Sequence, residues 1–211
     1  MKKTSSKKPN PGLNLSVAAE VLKIMVEMVR DLKLSESEIK DFQAKSHRDQ
    51  QDFLQDLYDQ EQYKKVAAYG NYVDFADAIY LVGMSFYALN RFPLAVGALH
   101  KITKLKCKDV DGKDLVEDSQ LFIDSNFYEA NVLYALGKYH AAIGYFKKAL
   151  ADTGEIAMCT NLYLGFCYER EKKSDFHKAE LCFREVIKLY DGSKYIDKEN
   201  VREIAKRALK I

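Results

Sequence analysis

Apolar residues return three and four positions apart between Leu15 and Leu32, at Val17, Val21, Ile24, Met25, Met28, Val29 and Leu32. That spacing predicts an amphipathic helix with a broad apolar stripe. Two helix-start signals follow. Ser35 with Glu38 has the spacing of a capping box, and Ser46 with Asp49 offers a second cap. The stretch from Gln50 onward reads as helix until Gly70, a residue suited to ending one. Residues 14–70 are therefore expected to form an N-terminal helical region. Residues 1–13 lack periodicity and hold Pro9, Pro11 and Gly12, the pattern of a flexible tail, made basic by Lys2, Lys3, Lys7 and Lys8.

Further along, three segments share one pattern: Ile79 to Ile102, Asn126 to Ala149 and Asn161 to Val186. Each places a small residue midway along a first helix (Gly83, Ala130, Gly165) and an apolar or aromatic residue three later (Phe86, Leu133, Tyr168). After a polar turn comes an aromatic (Phe92, Tyr139, Phe176), then an alanine (Ala95, Ala142, Ala179), then a bulky residue four beyond (Leu99, Phe146, Phe183). Two antiparallel helices approach closely where one offers a small residue to the other's bulk, and the turn aromatics are expected to fill the wedge between neighbouring pairs. A single pair leaves an apolar face bare, so the pairs are expected to stack.

These residues resemble the tetratricopeptide repeat family, whose pattern includes Leu-Gly-x2-Tyr followed by Ala-x3-Phe. Leu164-Gly165-x2-Tyr168 with Ala179-x3-Phe183 matches it, as does Ala142-x3-Phe146. The family's tryptophan position holds Ile79, Asn126 and Asn161 instead, its usual proline is missing, and the units run longer than the ~34-residue standard. The excess falls in an insertion near residues 104–123 and in a lengthened turn around Glu169 to Asp175. The resemblance implies an all-α, right-handed solenoid of three helix pairs over residues 74–190. Extra N-terminal helices precede it, and a capping helix over 195–211 closes it with a charged outer face.

Inside the insertion, Asp109, Asp111 and Gly112 place the glycine too early for a calcium loop and lack flanking helices in the right register. A solvated acidic loop is the expectation there. No phosphate-cradling glycine loop, HExxH, GxSxG or zinc-type Cys/His spacing occurs. The histidines are scattered, with His140 and His177 at a solvent-facing place after each turn aromatic. Neither a catalytic constellation, a metal site nor a cofactor is expected.

Composition narrows the class further. With 211 residues and 47% hydrophobic content, the chain can build a real core, and only 10 Gly and 3 Pro favour helices over a turn-rich β fold. The 33 Lys and Arg balance 31 Asp and Glu, so nothing draws the whole chain to nucleic acid. Charges at Glu20, Lys23, Glu27, Arg30 and Asp31 interrupt the first apolar stretch, which argues against a signal core or membrane insertion. Four cysteines (Cys107, Cys159, Cys167, Cys182) without CxxC spacing fit free thiols in a reducing compartment. A cytoplasmic location is the expectation.

Proteins of the family commonly bind peptides along a concave surface lined by the first helix of each pair. Carried across, that surface comprises Tyr80, Met84 and Tyr87, then Phe127, Asn131 and Tyr134, then Leu162, Phe166 and Glu169. The neighbouring Leu81, Tyr128 and Tyr163 rule out the Lys/Arg/Asn clamp that some relatives use for a terminal carboxylate. The lining is aromatic, and it suits an extended or helical protein segment with apolar anchors, with Asn131 available to its backbone. Two readings of these rings stay open: a groove for a partner, or core covered by the chain itself. The resemblance also extends to the translocator chaperones of bacterial type III secretion, which hold an export substrate in such a groove and dimerise through N-terminal helices. The function expected is that of a non-enzymatic protein-binding adaptor, with such a chaperone as the alternative and a homodimer through the N-terminal helices as an option.

Overall fold

The computed structural model describes residues 33–104, 106–117, 119–150, 155–171, 173–191 and 199–210. The tail at 1–13 and the amphipathic helix expected at 15–32 lie outside the described residues. Among those described the chain is all-α, with ten helices in one unit, Leu34–Ile211. In order they are α1 (Glu36–Gln43), α2 (His47–Asp59), α3 (Tyr63–Ala68), α4 (Ala76–Ala88), α5 (Phe92–Thr103), α6 (Gln120–Ala135), α7 (Tyr139–Ala149), α8 (Glu155–Arg170), α9 (Phe176–Asp191) and α10 (Glu199–Leu209). Each helix from α4 to α10 packs on the next, and the first helices of successive pairs touch as well, α4 on α6 and α6 on α8.

The predicted starts of α1 and α2 are present. Ser35 and Glu38 form the reciprocal capping box, and the Ser46 side chain accepts the Asp49 N–H. The expected single helix through Gly70 is broken, however, at Gln60 to Gln62. Glu61 adopts a left-handed φ of 58°, and the Gln62 N–H turns back to the Leu57 carbonyl at 2.9 Å. Asn90 (φ 57°) and Gly137 (φ 69°) make the same stop: Arg91 N–H donates to the Phe86 carbonyl and Lys138 N–H to that of Leu133, each at 2.8 Å. One turn design therefore serves α2–α3, α4–α5 and α6–α7, and α2–α3 is a short pair ahead of the three predicted ones.

Within the pairs the small-against-large rule operates at atomic contact. A β-carbon on Gly83 would stand 2.9 Å from Leu99 Cδ2, and Ala130 and Phe146 are wholly buried in one cluster. The helices α4, α6 and α8 are hidden on most sides, which is why their apolar residues are spread round the helix and not gathered on one stripe. The outer α9 and α10 show charged faces, with i,i+3 and i,i+4 pairs such as Lys206–Glu203 and Arg184–Glu180. The turn aromatics divide. Phe92 and Tyr139 are half-buried, but Phe176 is 69% exposed, contrary to its expected wedge role. The reason lies in its partner: Phe92 meets Tyr87 and Tyr139 meets Tyr134, whereas Glu169 holds the equivalent place before Phe176.

The insertion is not a freely solvated loop. Lys108 bridges to Phe75 in parallel and to Asp114 in antiparallel, its carbonyl accepting the Ala76 N–H at 2.6 Å. Asp77 in the first turn of α4 accepts the Val110 N–H at 2.8 Å. Asp109 folds the tip by accepting the N–H groups of Asp111 and Lys113, and Arg48 of α2 pairs with Asp111. Cys107, Val110 and Leu115 pack on the N-terminal apolar cluster. The segment thus straps the start of α4, which has no side-chain cap from Phe75.

Two apolar clusters result, one around Phe42, Leu54, Phe75 and Ile102, the other around Ala130, Phe146, Leu164 and Phe183. Between α5, α6 and α7 lies a polar knot. Glu129, 1% exposed, accepts from the His100 ring at 2.9 Å and from the Thr103 hydroxyl at 2.7 Å, and the Tyr145 hydroxyl lies 3.1 Å from the same His100 nitrogen. Burying this carboxylate is tolerable because both of its oxygens have donors.

Candidate functional site

The first helices of the pairs bring their aromatic residues into one chain of rings. Tyr80 and Tyr87, seven residues apart on α4, both meet Tyr128 of α6, at centroid distances of 6.3 and 5.8 Å. One pair further on, Tyr134 of α6 meets Tyr163 of α8 at 5.3 Å. Tyr128 and Tyr163 hold equivalent places, as do Tyr87 and Tyr134, and both ring pairs are edge-on, at 65° and 71°. The junctions between pairs thus repeat one tyrosine contact, the geometry that the aromatic quadrupole favours. Phe127 extends the chain through Tyr128 (5.3 Å) and Phe146 (6.2 Å), and Phe146 stacks on Tyr163 at 6.0 Å and 6°.

Of the expected lining, Tyr80, Tyr87, Phe127, Tyr134 and Phe166 are half-buried. Met84 and Leu162, at 9% and 5% exposure, are buried and offer little surface to a ligand, contrary to their expected place in the lining. Asn131 is half-buried and donates one amide hydrogen to the Phe127 carbonyl at 3.1 Å, leaving the rest of its amide for other partners. Glu169 is half-buried. It lines a depression of ≈ 370 Å³ beside Phe176, Phe183 and Leu209, at the border with α10.

Burial sets the electrostatics of this face. Desolvation pushes the phenols of Tyr80, Tyr128 and Tyr163 above the usual tyrosine value, and neighbouring phenols and, for Tyr80 and Tyr128, the Asp124 carboxylate push the same way. Tyr58 of α2 acts on both Tyr80 and Tyr128 and is itself raised by burial. These hydroxyls stay protonated at neutral pH, so the face offers ring surface edged with neutral donors.

Sequence reasoning placed Tyr128 and Tyr163 only beside the groove, yet they are its links from pair to pair. A readable signal existed, since Ser125-Asn126-Phe127-Tyr128 and Thr160-Asn161-Leu162-Tyr163 repeat one motif at one register. In both, the asparagine donates to the carbonyl four residues back, at 2.8 and 2.9 Å, which fixes it inside its own helix. Arg170 was missed too. Its guanidinium lies 5.2 Å from the Tyr134 ring centre and 5.4 Å from that of Phe166, and it donates to the Tyr134 hydroxyl.

Cys167 and Cys182 are buried on facing helices, free, with thiols pushed up to about 12 and about 11 by desolvation. They pack and do not react at neutral pH. No helix among the described residues is long and apolar enough to cross a membrane. Nothing in the family models, the curated proteins or the solved structures matches this chain.

Proposed function

We propose that the chain is a tetratricopeptide-type adaptor of the cytoplasm that acts by binding, holding an apolar-anchored segment of another protein along α4, α6 and α8. The observation that carries this reading is the run of half-buried rings from Tyr80 to Phe166. Half-buried rings combine large contact area with little side-chain entropy left to lose, which is how binding hot spots are built. A core would have closed over them, and Phe42, Phe122 and Phe183 show what closure looks like in this chain, each at 1% exposure.

The test compares wild-type protein with a Tyr87→Ala/Tyr134→Ala variant. Each substitution removes two ring contacts, worth ~0.5–1.5 kcal/mol apiece, and Tyr134→Ala also releases Arg170, so helicity is expected to persist with a lowered unfolding midpoint. Affinity capture with mass spectrometry then identifies what the variant loses, and hydrogen exchange on the recovered complex locates it. Protection on α4, α6 and α8 supports the reading. Equal capture by a folded variant, or protection elsewhere, refutes it.

A further inference from the structure

The aromatic face carries a cation stacked on two of its rings. Arg170 ends α8, is exposed, and is held across two pairs by the rings of Tyr134 and Phe166. Among the described residues no carboxylate meets it. Glu171 is taken by His140, and Glu169 lines the separate depression beside α10. Arg170 also lines a depression of ≈ 690 Å³, together with Lys138, Tyr139, His140 and Glu171. Lys138 likewise has no carboxylate partner among the described residues. Tyr139 joins this depression to the ring chain through Tyr134, 5.6 Å away.

A guanidinium stacked on rings has already lost most of its rotamer freedom, so a carboxylate docking there gains paired charge-assisted bonds at little further entropic cost. Its planar donors remain accessible, and the apolar anchors of a bound chain would lie on the adjoining rings. We infer that the segment bound on this face carries an Asp or Glu side chain beside its apolar anchors, received by Arg170 with Lys138 as the second cation. This rests on the aromatic face being the binding surface. It differs from capture of a chain terminus, in which the terminal carboxylate and not a side chain would meet the cation.

The probe is a library of random peptides displayed on phage, selected against the full chain as wild type, as Arg170→Glu and as Tyr87→Ala/Tyr134→Ala. Wild type is expected to enrich peptides in which large apolar residues stand at constant spacing from an Asp or Glu. Synthetic copies should bind Arg170→Glu on the order of tenfold more weakly, and replacing the peptide's acid by its amide should abolish that difference. Added salt should weaken wild-type binding and weaken Arg170→Gln binding less, with Lys138 still in place. Apolar peptides without acidic enrichment, bound equally by Arg170→Glu, would overturn the inference while leaving the aromatic face standing. Peptides indifferent to the tyrosine substitutions, or no enrichment at all, would overturn both. Unchanged circular dichroism of Arg170→Gln separates lost contact from lost fold.

Discussion

Gly165 of α8 lies directly beneath the ring of Phe183 on α9: a β-carbon there would stand 2.5 Å from Cε1 and 2.8 Å from Cζ. The ring cannot yield easily, because Phe183 is 1% exposed and pressed edge-on against Phe166. Gly165→Ala is therefore expected to destabilise the chain by ~1–3 kcal/mol in urea unfolding, despite alanine's better helix propensity. Adding Phe183→Leu should restore part of the loss. Gly144 of α7 has nothing within 4 Å of its virtual β-carbon, and Gly144→Ala should instead stabilise by ~0.5–1 kcal/mol. Equal effects at the two sites would mean that the close approach at Gly165 is absent in solution.

Glu129 is the polar key between the first and second full pairs. Glu129→Gln keeps its volume but exchanges a carboxylate with two donors for an amide with one acceptor, leaving either Thr103 or His100 short of a partner. A loss of about 1–3 kcal/mol is expected, with Thr103→Val milder at ~1 kcal/mol. A neutral result for Glu129→Gln in urea denaturation would show that water already satisfies this knot.

Stability should decline in alkali. The fold raises the phenols of Tyr58, Tyr80, Tyr128 and Tyr163, takes Tyr145 to about 12, and takes the Cys167 and Cys182 thiols to about 12 and about 11. All keep their protons longer when folded than when unfolded, where thiols and phenols ionise near ~8.5 and ~10. Their contribution is complete below those values and drains away as pH climbs through 10 to about 12. Tyrosinate absorbance should thus rise together with loss of far-ultraviolet dichroism. Phenols that all ionise near ~10 while the helices persist would contradict the burial described.

Asp77 ties the strap to α4. Asp77→Ala removes the acceptor of the Val110 N–H and leaves the first turn of α4 without its acidic residue. Limited proteolysis should then nick the segment between α5 and α6 faster than in wild type, at a global cost of only ~1 kcal/mol. Cleavage at the wild-type rate would mean that the backbone bridge at Lys108 is sufficient alone.

Much of this architecture was legible because it depends on residue size at fixed spacing. Gly83 against Leu99 and Gly165 against Phe183 are local statements about helix approach, and the sequence encodes them directly. The turn at Glu61 was not legible, since nothing about a glutamate announces a left-handed conformation; the backbone bonds of its neighbours impose it. The strap escaped for a related reason. Its acidic residues read as solvent-loving until Asp77 and Arg48, distant in sequence, are seen to engage the loop that contains Asp109 and Asp111. At the candidate site, aligned positions found Tyr87 and Tyr134 but overlooked Tyr128 and Tyr163, because a helix surface read by resemblance says nothing of which neighbour a side chain leans toward.

The two junctions between full pairs share an edge-on tyrosine contact and differ in what is added to it. At the first, buried Glu129 accepts directional bonds from His100 and Thr103, whereas at the second Phe146 stacks on Tyr163 and the polar contacts, Arg170 on Tyr134 and His140 on Glu171, are exposed. Directional bonds tolerate little sliding, while stacked rings can slip by an ångström at small cost. Elastic compliance should therefore concentrate between the second and third full pairs, close to where Arg170 bridges them. A ligand that engages that end would then work against the softest spring in the stack.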